Sequence, residues 1–319
     1  MRQLLCSLVT ILFGCSVTLS QKPYSQFLPH FDYDRRAPLD IKEVGVEDRD
    51  GISLHDISYL SPKGGRVTAY LVVPSGKGPF AGILFGHWAM DGSPTRNRTE
   101  FLEEAIALAH AGAVSLMIDA PFARPGFIEQ QDPLGPQGAE VLLQDILDLR
   151  RGVDLLSSRR DVDPKRVAYV GHSLNAEVGG ILAGVERRIK TFVLMAGMLS
   201  VRETVLSDDP AMVKFRKSAG EENVRKYLEQ YDWLDPAYYI AHAAPSSLLL
   251  QHARIDGNAG EEQARHFLAL ASRPKALKIY DATHALNAQA RSDRYEWLRQ
   301  KIGLRRLDPS ILAKLKQTR

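Results

Sequence analysis

One stretch limits the folds open to this chain more than any other: Arg166-Val-Ala-Tyr-Val-Gly-His-Ser-Leu-Asn-Ala-Glu177. An apolar strand runs into Gly171-His172-Ser173-Leu174-Asn175 and passes directly into a helix of small residues. A strand that becomes a helix without a loop must turn sharply. A serine at that turn has its hydroxyl lifted above the sheet, with the helix N-terminus pointing at it. The usual pattern for such an elbow is Gly-x-Ser-x-Gly, and here Asn175 occupies the last position. On this motif alone two readings stand: an exposed nucleophile, or a serine that caps a helix.

At 319 residues and 45% apolar the chain can bury a large α/β core. Its formal charge of +3 is spread along its length, with acidic and basic residues interleaved, which speaks against a nucleic-acid partner. Residues 1–20 read as a signal peptide: Arg2, an apolar run from Leu4 to Val17, then small residues before a cut after Ser20. The run is too short for a stable membrane span, so the expectation is export to a periplasmic or extracellular space. Leu12-Phe13-Gly14-Cys15 also resembles a bacterial lipoprotein box, which would place a lipid anchor at Cys15. Cys6 and Cys15 are the only cysteines, so the mature chain would hold neither a disulfide nor a cysteine nucleophile.

Residues 21–54 read as an extended, polar N-terminal arm. Alternating runs at 55–60 and 67–73 flank the turn Ser61-Pro-Lys-Gly-Gly65 and predict an antiparallel hairpin. Continuous apolar runs at 80–86 and 113–118 predict strands buried on both faces. Between them a helix carries Phe101, Leu102, Ala105 and Leu108 at helical spacing, with Asn97 and Glu100 placed as a capping box. A helix over 139–156, the strand before Ser173, and further strands at 191–195, 247–251 and 276–280 continue the alternation. Helices at 261–271 and 291–302 complete it. Residues 199–244, charged and helical in pattern, read as an inserted cap, and 306–319 as a basic C-terminal tail. This order predicts one α/β domain over 55–305, a doubly wound and mostly parallel sheet.

In such a sheet, ligands sit at the carboxyl ends of the strands. Those ends carry His87-Trp88, Asp119, Ser173, Asp256 and His284. Acyl transfer needs a nucleophile, a base to take its proton, and a carboxylate to orient the base. Ser173, His284 and Asp256 supply these in the chain order Ser, Asp, His. His87, His172, His252 and His284 all fall near strand ends but lack metal-ligand spacing, so neither a metal nor another cofactor is expected.

From about Arg66 to Leu304 the chain resembles the α/β-hydrolase superfamily, and within it the dienelactone-hydrolase-like and acetyl-esterase-like group. Ile83-Leu-Phe-Gly-His-Trp88, Phe101-Leu-Glu-Glu-Ala-Ile-Ala-Leu-Ala109, Tyr169-Val-Gly-His-Ser173, Leu250-Gln-His-Ala-Arg-Ile-Asp256 and Tyr280-Asp-Ala-Thr-His284 carry the likeness in their joint order. The resemblance implies Ser173 as nucleophile, His284 as base and Asp256 as its partner. It implies oxyanion donors at the backbone N–H groups of Trp88 and Leu174. His87, Asp119, Arg124, His172 and Asn175 are candidates for substrate contact or for support of the residues that make it. The expected activity is serine-dependent hydrolysis of a small carboxylic ester, lactone or amide. A non-catalytic binding protein on the same scaffold is the alternative.

Overall fold

The computed structural model describes residues 24–128, 137–197, 200–256 and 261–317. Residues 1–20, expected above to be a signal peptide and holding Cys6 and Cys15, lie outside them, as do Gly257 and Asn258 after Asp256.

Nine strands form one sheet: β1 (Lys42–Arg49), β2 (Ile52–Leu60), β3 (Arg66–Val73), β4 (Phe80–Gly86), β5 (Ala113–Ile118), β6 (Val162–His172), β7 (Ile189–Met195), β8 (Ser247–Ala253) and β9 (Lys275–Tyr280). Their order across the sheet is β1-β2-β3-β5-β4-β6-β7-β8-β9. Pairing is antiparallel from β1 to β5 and parallel from β5 to β9. The hairpin and the parallel core are those expected from the apolar patterning.

Period-2 alternation in the central strands sorts side chains into two cores, one on each face. Leu84, Val167, Tyr169 and Leu250 point to the face covered by α2 (Gln137–Ser158), α3 (Leu174–Val185), α7 (Ala237–Ile240) and α8 (Glu261–Leu270). Ile83, Phe85, Ala168, Val170 and Leu249 point to the other, under α1 (Leu102–His110), α9 (Ala288–Ile302) and α10 (Pro309–Gln317). α1 joins β4 to β5 on one face and α2 joins β5 to β6 on the other. The ends of β4 and β6 therefore flank the point where strand order reverses, which is where an open α/β sheet leaves its crevice.

Between β7 and β8 stand α4 (Val201–Leu206), α5 (Pro210–Ala219) and α6 (Glu221–Tyr231), ahead of α7. These helices occupy the stretch expected as a cap. No helix among the described residues is long and apolar enough to cross a membrane.

Two terminal segments are more ordered than their sequence suggests. Within the arm, β1 extends the sheet, and Phe27 and Phe31 are buried. Phe31 packs edge-on to Tyr239 at 5.6 Å between ring centroids, and Tyr24 Oη donates to the Gly184 carbonyl. At the other end, Ile311, Leu312 and Leu315 turn one face of α10 toward α1 and α9, and Leu315 is fully buried.

Candidate active site

Ser173 stands between β6 and α3 with φ 56° and ψ −119°. This region is rare for a residue with a side chain, and holding it costs about 1–3 kcal/mol. The surroundings fix it. Ser173 N–H donates to the Met195 carbonyl at 2.8 Å, and the Ser173 carbonyl accepts from Ala176 N–H at 2.8 Å and Glu177 N–H at 3.2 Å. A Cβ on Gly171 would lie 2.1 Å from the Asn175 carbonyl oxygen, so the elbow closes only around a glycine there. Ser173 makes no side-chain cap bond to α3, which removes the reading of a capping serine.

No acceptor among the described residues takes the Leu174 N–H, the first of the helix. That donor and the helix dipole both face the elbow.

Asp256 and His284 come together above β8 and β9. His284 Nδ1 lies 2.9 Å from Asp256 Oδ2, with the carboxylate side chain 1% exposed and the imidazole 11%. Asp119, the carboxylate on the earlier strand, is committed elsewhere: it accepts from Thr68 Oγ1 at 2.5 Å and Arg98 N–H at 2.8 Å. Arg124 turns down toward α2, where its guanidinium meets Asp148 at 2.7 Å, and its Nε donates to the Asp119 carbonyl at 2.9 Å. Asp119 and Arg124 thus tie loops to the sheet.

His87 is buried, and burial holds its pKa below the ordinary value. Its Nε2 accepts from Ala120 N–H at 3.0 Å, so Nδ1 carries the proton and donates to the Trp88 carbonyl at 2.7 Å. Both nitrogens are thereby spent on joining the β4 loop to the β5 loop. His252 is buried beside Asp256 with neither nitrogen bonded to a described residue, and burial pushes its pKa down to about 4, so it packs as a neutral ring.

Asn175, the departure from the usual motif, is accommodated by a change on the neighbouring strand. A Cβ at Gly86 would sit 2.5 Å from Asn175 Oδ1, so the space normally left by a glycine after the nucleophile is supplied by a glycine on β4. The amide fills that space and uses it. Nδ2 donates to the His87 carbonyl at 2.8 Å, and Tyr169 Oη donates to the Asn175 carbonyl at 2.7 Å, with Oδ1 at 3.2 Å. Asn175 therefore braces the β4 loop against the elbow.

Trp88 departs from expectation. Its backbone N–H, anticipated as an oxyanion donor, donates instead to Glu100 Oε2 at 2.7 Å. The other oxygen of Glu100 lies 2.5 Å from His172 Nδ1, and His172 Nε2 lies 2.9 Å from the His284 carbonyl. The imidazoles of His172 and His284 stack at 5.1 Å, and Trp88 stacks on His172 at 5.0 Å. Glu100 is the residue that sequence reasoning missed. Placed three residues after Asn97, it looked like a capping partner, but α1 begins only at Leu102 and Asn97 Oδ1 binds Thr99 instead. Nothing in its spacing pointed to the site. Among the described residues no group of three or more His, Cys, Asp or Glu is arranged to hold a metal ion.

No family model matches the chain, and no curated protein matches it by sequence. Solved structures do. An acetyl xylan esterase from Paenibacillus sp. R4 superposes with a TM-score of 0.69 at 18% identity, covering 87% of this chain and 93% of its own. Acetyl xylan esterase 1 from Thermoanaerobacterium sp. JW/SL YS485 gives 0.70 at 14% identity, with the same coverage. An esterase of Pyrococcus furiosus gives 0.56 at 16% identity over 78% of this chain and 93% of its own. At such identities the likeness speaks to architecture: the chain has the α/β-hydrolase fold.

Proposed function

We propose that the protein is a serine hydrolase that cleaves a small carboxylic ester through an acyl-enzyme on Ser173. The observation that carries this reading is the strained Ser173 at the head of α3 together with a buried, hydrogen-bonded Asp256–His284 pair whose imidazole stacks on His172, the residue before Ser173. A structural serine has no need of a backbone conformation that costs energy, whereas an attacking one needs the exposure it gives. The esterase neighbours favour the same chemistry.

In this mechanism Ser173 Oγ attacks the ester carbonyl carbon while its proton passes to His284 Nε2. Asp256 accepts from Nδ1–H, fixing the tautomer that leaves Nε2 free as base and stabilising the imidazolium that forms. The oxyanion is received by Leu174 N–H, a preorganised donor of a kind worth about 3–4 kcal/mol in the transition state. Trp88 N–H is committed to Glu100, so no oxyanion role is assigned to it. His284 then gives its proton to the leaving alkoxide, the acyl group stays on Ser173, and a water activated by His284 releases the acid. Substrate choice falls to α4–α6 and to the loop after β5, which follow the carboxyl ends of β7 and β5 in the chain. Export by the leader at 1–20 completes the proposal, supported by Arg2 and the apolar run that follows it.

Purified protein is expected to hydrolyse p-nitrophenyl acetate or butyrate, and Ser173→Ala to abolish nearly all of that turnover. Absence of turnover on these esters, or full activity in Ser173→Ala, would overturn the assignment.

A further inference from the structure

The contacts of His172 leave a proton to be accounted for. Its Nε2 faces the main-chain carbonyl of His284 at 2.9 Å, and a carbonyl only accepts, so Nε2 bears a hydrogen. Its Nδ1 lies 2.5 Å from Glu100 Oε1, which requires a second proton between those two atoms. The pair is therefore either imidazolium and carboxylate or neutral imidazole and carboxylic acid, and carries no net charge in either form. Both side chains are nearly out of solvent, 2% and 9% exposed. Trp88 N–H, donating to Oε2 at 2.7 Å, fixes the far end of the carboxyl group.

Through these bonds Glu100, just ahead of α1, reaches three elements of the site: the loop after β4, the residue preceding the nucleophile, and the loop bearing the base. We propose that Glu100 and His172 are a buried positioning pair for His284, with Glu100 fixing the His172 ring and His172 Nε2–H holding the main chain from which the base projects. This inference rests on the hydrolase reading for its consequence in turnover, but its geometry is independent of that reading. A base displaced by about 1 Å from its working position loses on the order of 10²-fold in rate. The conservative amide is informative, because Gln at position 100 can accept from Trp88 N–H through its oxygen and donate to a neutral His172 Nδ1 through its nitrogen.

The test uses the full-length protein with Glu100→Ala, Glu100→Gln, His172→Ala and the double variant Glu100→Ala/His172→Ala, assayed on an activated ester and by 15N imidazole NMR. Expected are a kcat loss on the order of 10²-fold in Glu100→Ala with KM little changed, near wild-type kcat in Glu100→Gln, and a double variant no slower than His172→Ala. The last result marks two residues acting as one unit. Wild-type kcat in Glu100→Ala, equal losses in Glu100→Ala and Glu100→Gln, or additive losses in the double variant would overturn the proposal. If Glu100→Ala does not fold, the wild-type spectrum decides: His172 Nε2 protonated and slow to exchange supports the pair, and an unprotonated Nε2 refutes it. The same spectrum judges the inference if the wild-type protein proves to hydrolyse no ester, a failure that would belong to the hydrolase reading.

Discussion

Gly86→Ala tests the compensation that lets Asn175 occupy the elbow. The added Cβ would meet Asn175 Oδ1 at 2.5 Å, its Cγ at 2.6 Å and Tyr169 Oη at 2.6 Å, all closer than side-chain carbons approach in folded proteins. Something must move. The amide is held by its 2.8 Å bond to the His87 carbonyl, so shifting it strips a buried acceptor of its donor. Overpacking costs about 1–3 kcal/mol, and a buried group left unpaired about 1–3 kcal/mol more. A combined loss of roughly 2–6 kcal/mol lowers the melting temperature by about 3–10 °C in a chain of this size. Turnover falls with it, because the β4 loop and the elbow are joined through the same amide. Asn175→Gly alone removes the brace and is also destabilising. In Gly86→Ala/Asn175→Gly the clash with the amide is gone and only Tyr169 Oη must shift, so the double variant is more stable than the sum of the single effects predicts. Thermal unfolding and ester turnover of all four proteins complete the cycle. Additivity within about 0.5 kcal/mol would refute the compensation.

Three further outcomes follow from the same geometry. Asp256→Asn deprives His284 of its orienting carboxylate and slows turnover by on the order of 10³-fold or more, whereas Asp119→Asn stays within about tenfold; steady-state kinetics of the two variants give the ranking, and the reverse order would move the catalytic carboxylate to β5. Asp145 is buried on α2 behind Asn175, and burial, opposed by Arg124 and assisted by Asp148, pushes its pKa up to about 7. Its folded value lies above its unfolded one, so its contribution is fully present below about pH 4 and is lost as pH rises through about 7; Asp145→Asn is expected to raise the melting temperature at pH 8 relative to wild type, with a smaller difference at pH 5, and a pH-independent difference would contradict the shift. The buried Arg294–Glu104 pair joins α9 to α1 at 2.6 Å, and Glu104→Ala, which leaves an unpaired guanidinium, costs about 3–5 kcal/mol in thermal unfolding.

Much of this arrangement was legible in the residues. Runs buried on both faces, such as 80–86 and 113–118, announce themselves as continuous apolar stretches, and their spacing by helical segments sets a parallel sheet. Once strand ends are placed, the rule that ligands sit at carboxyl termini brings Ser173, Asp256 and His284 forward, although the first and last are 111 positions apart. What could not be read depends on contacts between distant segments. β1 is an edge strand exposed along nearly its whole length, so burial imposes no alternation on Lys42–Arg49. α10 buries one narrow stripe within a basic segment, and its composition hides the stripe. Asn175 looked like a defect in the elbow because its partner in volume, Gly86, lies on another strand. Glu100 looked like a helix cap because its partners, Trp88 and His172, are brought to it only by the fold.

The central claim is that Ser173 is the nucleophile, and covalent labelling addresses it most directly. Wild-type protein is treated with a fluorophosphonate and the modified peptide identified by mass spectrometry, with Ser173→Ala and His284→Ala alongside. The account predicts one label per chain on Ser173, no label in Ser173→Ala and greatly slowed labelling in His284→Ala. A wild-type protein that takes no label, or takes it on a different residue, would contradict the account.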